Sequence, residues 1–180
     1  LRRFPDALLL VAPRHPERFR PMGQLCRSYG FRTATRTEDG VADAQTQCFV
    51  IDTLGELVPF CAAADIAFVA GSLEAIGGHN VLEPAALGVP VIVGPHTFNF
   101  EEVTDFLLER GAALRVPDAD VLVRELQRLL GDPAQRAAMG RAAICAVEEQ
   151  RGAVARTLKI IERVVAGEQP ITQNPQARCD

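Results

Sequence analysis

Short, unbroken runs of apolar residues alternate along this chain with longer segments in which apolar residues recur every three or four positions. Unbroken runs are typical of parallel strands buried on both faces, and the longer spacing is typical of amphipathic helices. The short runs predict strands at residues 7–12, 31–35, 48–52, 66–70, 89–93 and 112–116. The segments between them predict helices at residues 17–29, 54–64, 81–87, 100–110 and 121–130. The alternation predicts an α/β fold in which helices cover both faces of a parallel sheet.

The C-terminal third departs from this alternation and becomes rich in helix. Helical spacing continues over residues 132–150 and 152–166. The last residues, 167–180, are polar and contain two prolines, so we expect them to form a flexible tail. Residues 1–166 are therefore predicted to form one globular domain.

Composition narrows the classes of function. Of the 180 residues, 48% are hydrophobic, which suits one domain with a substantial core, and the net charge of -4 disfavours nucleic acid as a partner. No apolar run approaches the roughly 20 residues that a membrane-spanning helix needs. Five cysteines without C-x-x-C spacing argue against a disulfide scaffold or a zinc site, and favour a reducing cytoplasmic setting. Cys48, Cys61 and Cys145 lie in apolar stretches and are predicted to be core residues.

The segment from residue 77 to residue 95 reads as a loop, a helix, a tight turn and a buried strand. It opens with the flexible pair Gly77 and Gly78 at a predicted helix N-terminus, where free backbone N–H groups and the helix dipole favour a phosphate. Asn80 and Glu83 are three residues apart, so their side chains lie near one another on the first turn and could hold a ribose. The segment therefore predicts a nucleotide-sugar site.

Other candidate residues also follow predicted strands, where ligands of doubly wound sheets collect. Arg14 lies between Pro13 and Pro16, which stiffen the loop, and its guanidinium could grip a phosphate. The alternative is that Arg14 and the neighbouring His15 are solvated loop residues. Ser72 could place a hydroxyl beside the same ligand or could belong to a plain turn.

The loop that follows the third predicted strand has a second interpretation as well. Thr53 and Glu56 have the spacing of a capping box at the start of the next helix. Capping does not explain Gly55 within the predicted first turn, where the absence of a side chain would let a base or a phosphate approach the backbone. Both interpretations remain open.

Three histidines, His15, His79 and His96, lie in loops at the same predicted edge of the sheet, so a metal site has to be considered. No pair has the i,i+4 spacing of a helical zinc site, and no carboxylate lies at a recognisable ligand interval. Asp118 and Asp120 match the D-x-D pattern of some metal-dependent transferases, but helix capping explains them. We predict no metal ion.

Taken in order, these motifs resemble a known family. They occupy residues 13–19, 52–57, 71–73, 77–85, 94–96 and 99–100. The series is similar to the C-terminal-domain motifs of the Kdo transferases of Gram-negative bacteria, which are glycosyltransferases with the two-Rossmann-domain GT-B fold. The resemblance implies a Rossmann-like domain that forms the C-terminal half of such an enzyme. It further implies a CMP-Kdo donor, a lipid A precursor as acceptor, a role in lipopolysaccharide biosynthesis, and inversion at the anomeric carbon without a metal or cofactor.

The same resemblance implies a role for individual residues. Arg14 would bind the CMP phosphate, and Asn80 and Glu83 would hold the ribose. The residues that would approach the nucleotide largely through their backbone are Gly55, Glu56 and Leu57. The further possible sugar or phosphate contacts are His15, Ser72, Gly77, Gly78, His79 and His96.

The resemblance also implies what this chain lacks. It begins, by that comparison, after the first strand of the C-terminal domain, which would leave an exposed sheet edge. The N-terminal domain would supply the membrane contact at the cytoplasmic side of the inner membrane, the acceptor groove and the general base. We therefore expect no catalytic residue here, and a chain that binds nucleotide without transferring sugar.

Two alternatives belong to other classes of protein. A UDP-sugar-dependent GT-B transferase or epimerase would share the glycine-rich loop and the ribose-binding Glu83 but would prefer uridine. A non-enzymatic α/β binding module would use Arg14, Asn80 and Glu83 as structural residues, and would bind no nucleotide.

Overall fold

The computed structural model describes residues 3–150 and 153–166 of the chain. Its six strands are β1 Leu9–Val11, β2 Thr33–Thr35, β3 Cys48–Val50, β4 Ala67–Val69, β5 Val91–Val93 and β6 Ala113–Arg115. Its helices are α1 Phe19–Ser28, α2 Leu57–Ala62, α3 Leu82–Ala86, α4 Glu101–Glu109, α5 Ala119–Gly131, α6 Pro133–Gln150 and α7 Ala153–Val165. Each strand lies within its predicted run, so the predicted α/β fold is confirmed. The predicted tail at residues 167–180 lies outside the described residues.

All strand pairs are parallel, and the strands form two three-stranded sheets rather than one continuous sheet. The first sheet has the order β1-β3-β2 and the second the order β4-β5-β6. Val50 is in register with Val11 and Thr35, and Val93 is in register with Val69 and Arg115. Within the described residues, β1 and β4 each pair on one side only. The prediction that a first strand is missing from this domain stays a prediction.

The central strands β3 and β5 are fully buried, which explains their unbroken apolar sequences. Successive residues of β5 point to opposite faces of the second sheet. Val91 and Val93 pack with Leu107 of α4, whereas Ile92 packs with Leu129 of α5. Helices therefore cover both faces of the second sheet, as predicted.

Two helix starts differ from prediction because the preceding loop leaves the helical conformation. The predicted helix at residues 17–29 begins as a 3-10 turn at Pro16–Arg18, and α1 follows it. The predicted helix at residues 54–64 begins only at Leu57, because Gly55 has φ +81, a left-handed conformation that a right-handed helix does not contain. The prediction that Asp118 caps a helix is correct, because its carboxylate accepts a hydrogen bond from Val121 N at 2.7 Å.

Helix α6 approaches the turn after α3 at backbone distance. A Cβ atom on Gly140 would lie 2.2 Å from the carbonyl oxygen of Gly88, so the contact requires glycine at position 140. The buried face of α6 carries Met139, Gly140, Ala143 and Ala146. Neighbouring Cys145 points away from that face and is exposed, so the prediction that it is a core residue is wrong.

Two further observations bear on the predictions from composition. Cys26 and Cys48 are buried, and burial raises the pKa of Cys48 to about 12. Cys61 is only partly buried. None of the described helices is long and apolar enough to cross a membrane.

Candidate functional site

The loops that follow β1 and β4 meet at the carboxyl edge of the sheets. Arg14 Nη1 lies 3.0 Å from His79 Nδ1, although 65 residues separate them in sequence. Arginine stays protonated and can only donate, so Nδ1 must accept this hydrogen bond and the ring proton of neutral His79 lies on Nε2. The structure thus brings together two residues that the sequence placed in separate motifs.

The surroundings of His79 favour its neutral form. Burial lowers the pKa of His79, and the charges of Arg14 and His15 lower it further. The ring packs against Gly71, where a Cβ atom would lie 3.3 Å from Nε2. At neutral pH the ring is therefore an uncharged acceptor for Arg14.

The glycine pair before α3, which the sequence analysis describes as flexible, lies in a turn with specific contacts. Gly77 and Gly78 are buried and have φ +99 and +74, values that favour glycine. Gly78 N donates to Gly71 O at 2.9 Å, and a Cβ atom on Gly77 would lie 2.4 Å from the Phe98 ring. The backbone hydrogen bond and the close contact with Phe98 therefore define the shape of this turn.

Helix α3 gives weaker support to the predicted phosphate site than its sequence suggests. It contains five residues, Leu82–Ala86, so few peptide dipoles add along its axis. The full charge of the nearby Arg14 is therefore the stronger attraction for a phosphate.

Asn80 and Glu83 lie together, as their spacing predicts. Asn80 Oδ1 accepts from Leu82 N at 2.9 Å in a turn just before α3, while Asn80 Nδ2 donates to Glu83 Oε1 at 2.9 Å. Within the part of the chain that the structure describes, Glu83 Oε2 makes no hydrogen bond. The pair is half-buried, and that oxygen is free to accept from a ligand hydroxyl.

The side chain of Glu56 is engaged by Arg36, a residue that the sequence analysis missed. Arg36 Nε donates to Glu56 Oε2 at 3.1 Å and Arg36 Nη2 donates to Oε1 at 3.0 Å, a bidentate pair. These hydrogen bonds, with one from Thr53, lower the pKa of Glu56. The predicted capping box is wrong, because Thr53 donates to the Glu56 carboxylate and α2 has no side-chain cap.

A second contact holds the same loop. Thr37 N donates to Asp52 Oδ1 at 2.8 Å, and the Thr37 hydroxyl donates to Asp52 Oδ2. Arg36 and Thr37 directly follow β2, and Asp52 and Thr53 follow β3 after Ile51. The parallel register of the two strands brings these ends together.

Ser72 joins the loops after β4 and β5. It is fully buried, its hydroxyl donates to Val69 O at 2.5 Å and accepts from Gly94 N at 2.8 Å, and its carbonyl accepts from His96 N at 2.9 Å. A Cβ atom on Gly94 would lie 2.3 Å from Ser72 O. These contacts favour the structural alternative for Ser72 over a ligand contact.

The remaining histidines differ in exposure. His15 is exposed and precedes the 3-10 turn, and His96 is half-buried beside Ser72. Among residues 3–150 and 153–166, no group of three or more His, Cys, Asp or Glu side chains could hold a metal ion. Contacts of these histidines with a sugar stay predictions.

Comparison with known proteins relates this geometry to a family. Residues 41–144 match the family described as "Glycosyl transferases group 1". The chain is 40% identical over 163 residues to the 3-deoxy-D-manno-octulosonic acid transferase of Haemophilus influenzae, and 42% identical over 159 residues to that of Bordetella pertussis. These matches cover 90% and 88% of this chain but 38% and 37% of the relatives. The chain therefore spans less than two fifths of their length.

A solved structure is similar as well. The crystal structure of the C-terminal CMP-Kdo binding domain of WaaA from Acinetobacter baumannii matches with a TM-score of 0.74 and 35% sequence identity. The match covers 78% of this chain and 73% of that domain. Sequence and structure together confirm the resemblance to the Kdo transferases that the motifs suggested. The chain belongs to the glycosyl transferases group 1 family.

Proposed function

We propose that this chain is the donor-binding part of a glycosyltransferase that moves Kdo from CMP-Kdo to a lipid A precursor. The observation that supports this most directly is the contact between Arg14 and His79 at 3.0 Å. It brings the cation suited to a phosphate beside the segment that leads into α3 and carries Asn80 and Glu83, the pair suited to a ribose. Phosphate and ribose are adjacent in a nucleotide, so a CMP site needs both groups side by side.

The contacts of Glu56 support a backbone role for the loop at residues 55–57. Its carboxylate is taken up by Arg36 and Thr53, so contacts of this segment with the nucleotide would fall to the backbone of Gly55, Glu56 and Leu57. Gly55 is exposed, and nothing lies within 4 Å of the position that a Cβ atom would take. A base or phosphate could therefore approach this backbone closely.

The proposed reaction is a displacement at the anomeric carbon of Kdo. An acceptor hydroxyl forms the new C–O bond as the bond from that carbon to the phosphate oxygen breaks, CMP leaves, and the configuration inverts. Negative charge grows on the departing phosphate, and Arg14 would stabilise it without a metal ion. The hydroxyl proton passes to a general base, which we propose lies in another part of a longer polypeptide.

Calorimetric titration of the chain with CMP and UMP tests the donor assignment. We expect CMP to bind, UMP to bind more weakly, and Glu83→Ala to weaken CMP binding at least about tenfold because a ribose acceptor is lost. Glu74→Ala is the matched control, because Glu74 is an exposed acid of the loop after β4.

Three other results of this titration would count against the proposed donor site. Equal CMP affinity in the Glu83 and Glu74 variants would contradict the site. Tighter binding of UMP would favour a UDP-sugar transferase or epimerase. A folded chain that binds neither nucleotide would favour a non-enzymatic module.

We further propose that the complete protein meets its lipid A precursor at the cytoplasmic side of the bacterial inner membrane, through a part outside this chain. This chain alone should then release no CMP from CMP-Kdo when the lipid acceptor is added, whereas a longer polypeptide with the remaining part should. Release of CMP by this chain at the rate of the longer polypeptide would contradict the proposed division of roles.

A further inference from the structure

Asn99 reaches from the loop after β5 to the backbone of the glycine turn before α3. Its backbone N–H donates to Gly77 O at 3.1 Å, and its Nδ2 donates to Ile76 O at 3.2 Å and to Gly78 O at 3.5 Å. One residue thus binds three consecutive carbonyl oxygens. We propose that Asn99 is a positioning residue for the nucleotide-sugar donor, an inference that rests on the proposed function.

The shape of the turn depends on this contact and on glycine at position 77. A Cβ atom on Gly77 would lie 2.4 Å from the Phe98 ring and 2.5 Å from Asn99 Nδ2. Phe98 and Asn99 therefore occupy the space that any larger residue at 77 would need. The turn leads directly into His79 and Asn80, so its conformation determines the positions of these two residues, which we propose face the donor.

The loop that carries Asn99 is itself anchored. Thr97 is buried, and its hydroxyl accepts from Arg115 Nη2 at 2.9 Å, while the same nitrogen donates to Asp105 Oδ1 at 2.9 Å. Phe100 N donates to Thr97 O at 2.8 Å. Asn99 therefore projects from a loop tied by hydrogen bonds to β6 and, through Arg115, to α4, and it connects this loop to the glycine turn.

The chemistry of the contact requires a donor. Both the backbone N–H and the side-chain amide of Asn99 face carbonyl oxygens, which only accept hydrogen bonds. Asn99→Asp keeps the size of the side chain but points a charged acceptor at Ile76 O and Gly78 O. Asn99→Ala removes the side-chain donor alone. Because Asn99 is exposed, neither change disturbs the core.

Two measurements on the purified chain test the inference. The first is calorimetric titration with CMP, and the second is amide hydrogen exchange at residues 76–80. We expect Asn99→Asp to weaken CMP binding about tenfold, the scale of one well-placed hydrogen bond or more, and to accelerate exchange at Gly78. Asn99→Ala should have the same effects to a smaller degree. Gln24→Glu makes the same amide-to-carboxylate change at an exposed site on α1 and should alter neither quantity.

The outcomes separate this inference from the proposed function. CMP binding like that of the wild type in both Asn99 variants would overturn the positioning role, and so would unchanged exchange at the turn. Weakened binding with unchanged exchange at residues 76–80 would show that Asn99 contacts CMP itself, and would also overturn it. A folded wild-type chain that binds no CMP would overturn the proposed function and the donor role of Asn99 with it.

Discussion

The loops on the two sides of the proposed donor site are held by different kinds of interaction. Charged contacts on half-exposed side chains hold the loop at residues 52–57, through Arg36 with Glu56 and Thr37 with Asp52. Uncharged hydrogen bonds and close backbone packing hold most of the loop at residues 71–80, with Ser72 fully buried. The first loop should therefore respond more strongly to salt and pH, and the second more strongly to side-chain volume.

The largest expected effect on stability comes from the loop at residues 71–80, called the packed loop below. Gly94→Ala would place a Cβ atom 2.3 Å from Ser72 O, and the backbone of both loops would have to move apart. We expect the free energy of unfolding to fall by about 3 kcal/mol, as for an overpacked core. Gly131→Ala is the control, because nothing lies within 4 Å of its Cβ position. Equal stability of the two variants in urea unfolding would refute the packing argument.

Removal of a buried hydrogen bond from the same loop should cost less. Ser72→Ala leaves Gly94 N and Val69 O without their hydroxyl partner. We expect the free energy of unfolding to fall by about 2 kcal/mol, the penalty of unsatisfied buried groups. The loss should be the same at low and high salt, and a strong salt dependence would show that charge also holds this loop.

The stability that contacts of the loop at residues 52–57 provide should, by contrast, depend on salt. Arg36→Gln should destabilise the protein less than Ser72→Ala does, because Arg36 and Glu56 are each 36% exposed. The difference between Arg36→Gln and the wild type should shrink as salt is added. Hydrogen bonds from Arg36 lower the pKa of Glu56 below its ordinary value of 4.5, so the pair's contribution should be lost as pH falls below about that value. A salt-independent difference in unfolding midpoints would count against this assignment.

The smallest expected effect is a shift in the pH dependence of the packed loop. The folded state lowers the pKa of His79 below its ordinary value of 6.5, so the unfolded chain binds more protons near that pH and stability falls as pH decreases through it. His79→Asn keeps an acceptor at the position of Nδ1 for Arg14 but cannot titrate. Its thermal midpoint should vary less between pH 7 and pH 5 than that of the wild type. Identical profiles would show that His79 does not titrate differently on folding.

Local patterns in the sequence predicted what local physics decides. Strands buried on both faces have unbroken apolar runs, and the spacing of Asn80 and Glu83 brings them together within one helical turn. The predicted start of α2 at residue 54 was wrong because Gly55 adopts a left-handed conformation, which a right-handed helix does not contain.

The missed contacts join residues that are distant in sequence. Arg36 meets Glu56 across 20 residues only because β2 and β3 pair in parallel register, and no spacing rule reveals that. Arg14 was identified as a candidate, but its partner His79 depends on the relative positions of β1 and β4. Chemistry at the site could be read from residue types, whereas the network that holds it depends on tertiary structure.

The contact between Gly140 and Gly88 ties the helical C-terminal region to the proposed site. Gly88 lies two residues after the helix that bears Glu83, and a Cβ atom on Gly140 would lie 2.2 Å from its carbonyl oxygen. Any side chain at position 140 would collide with the Gly88 carbonyl, so this contact restricts the residues that the chain can accept there. Neither glycine has a proposed ligand contact. Random mutagenesis screened for loss of nucleotide binding should therefore select substitutions at these glycines alongside those at the ribose pair.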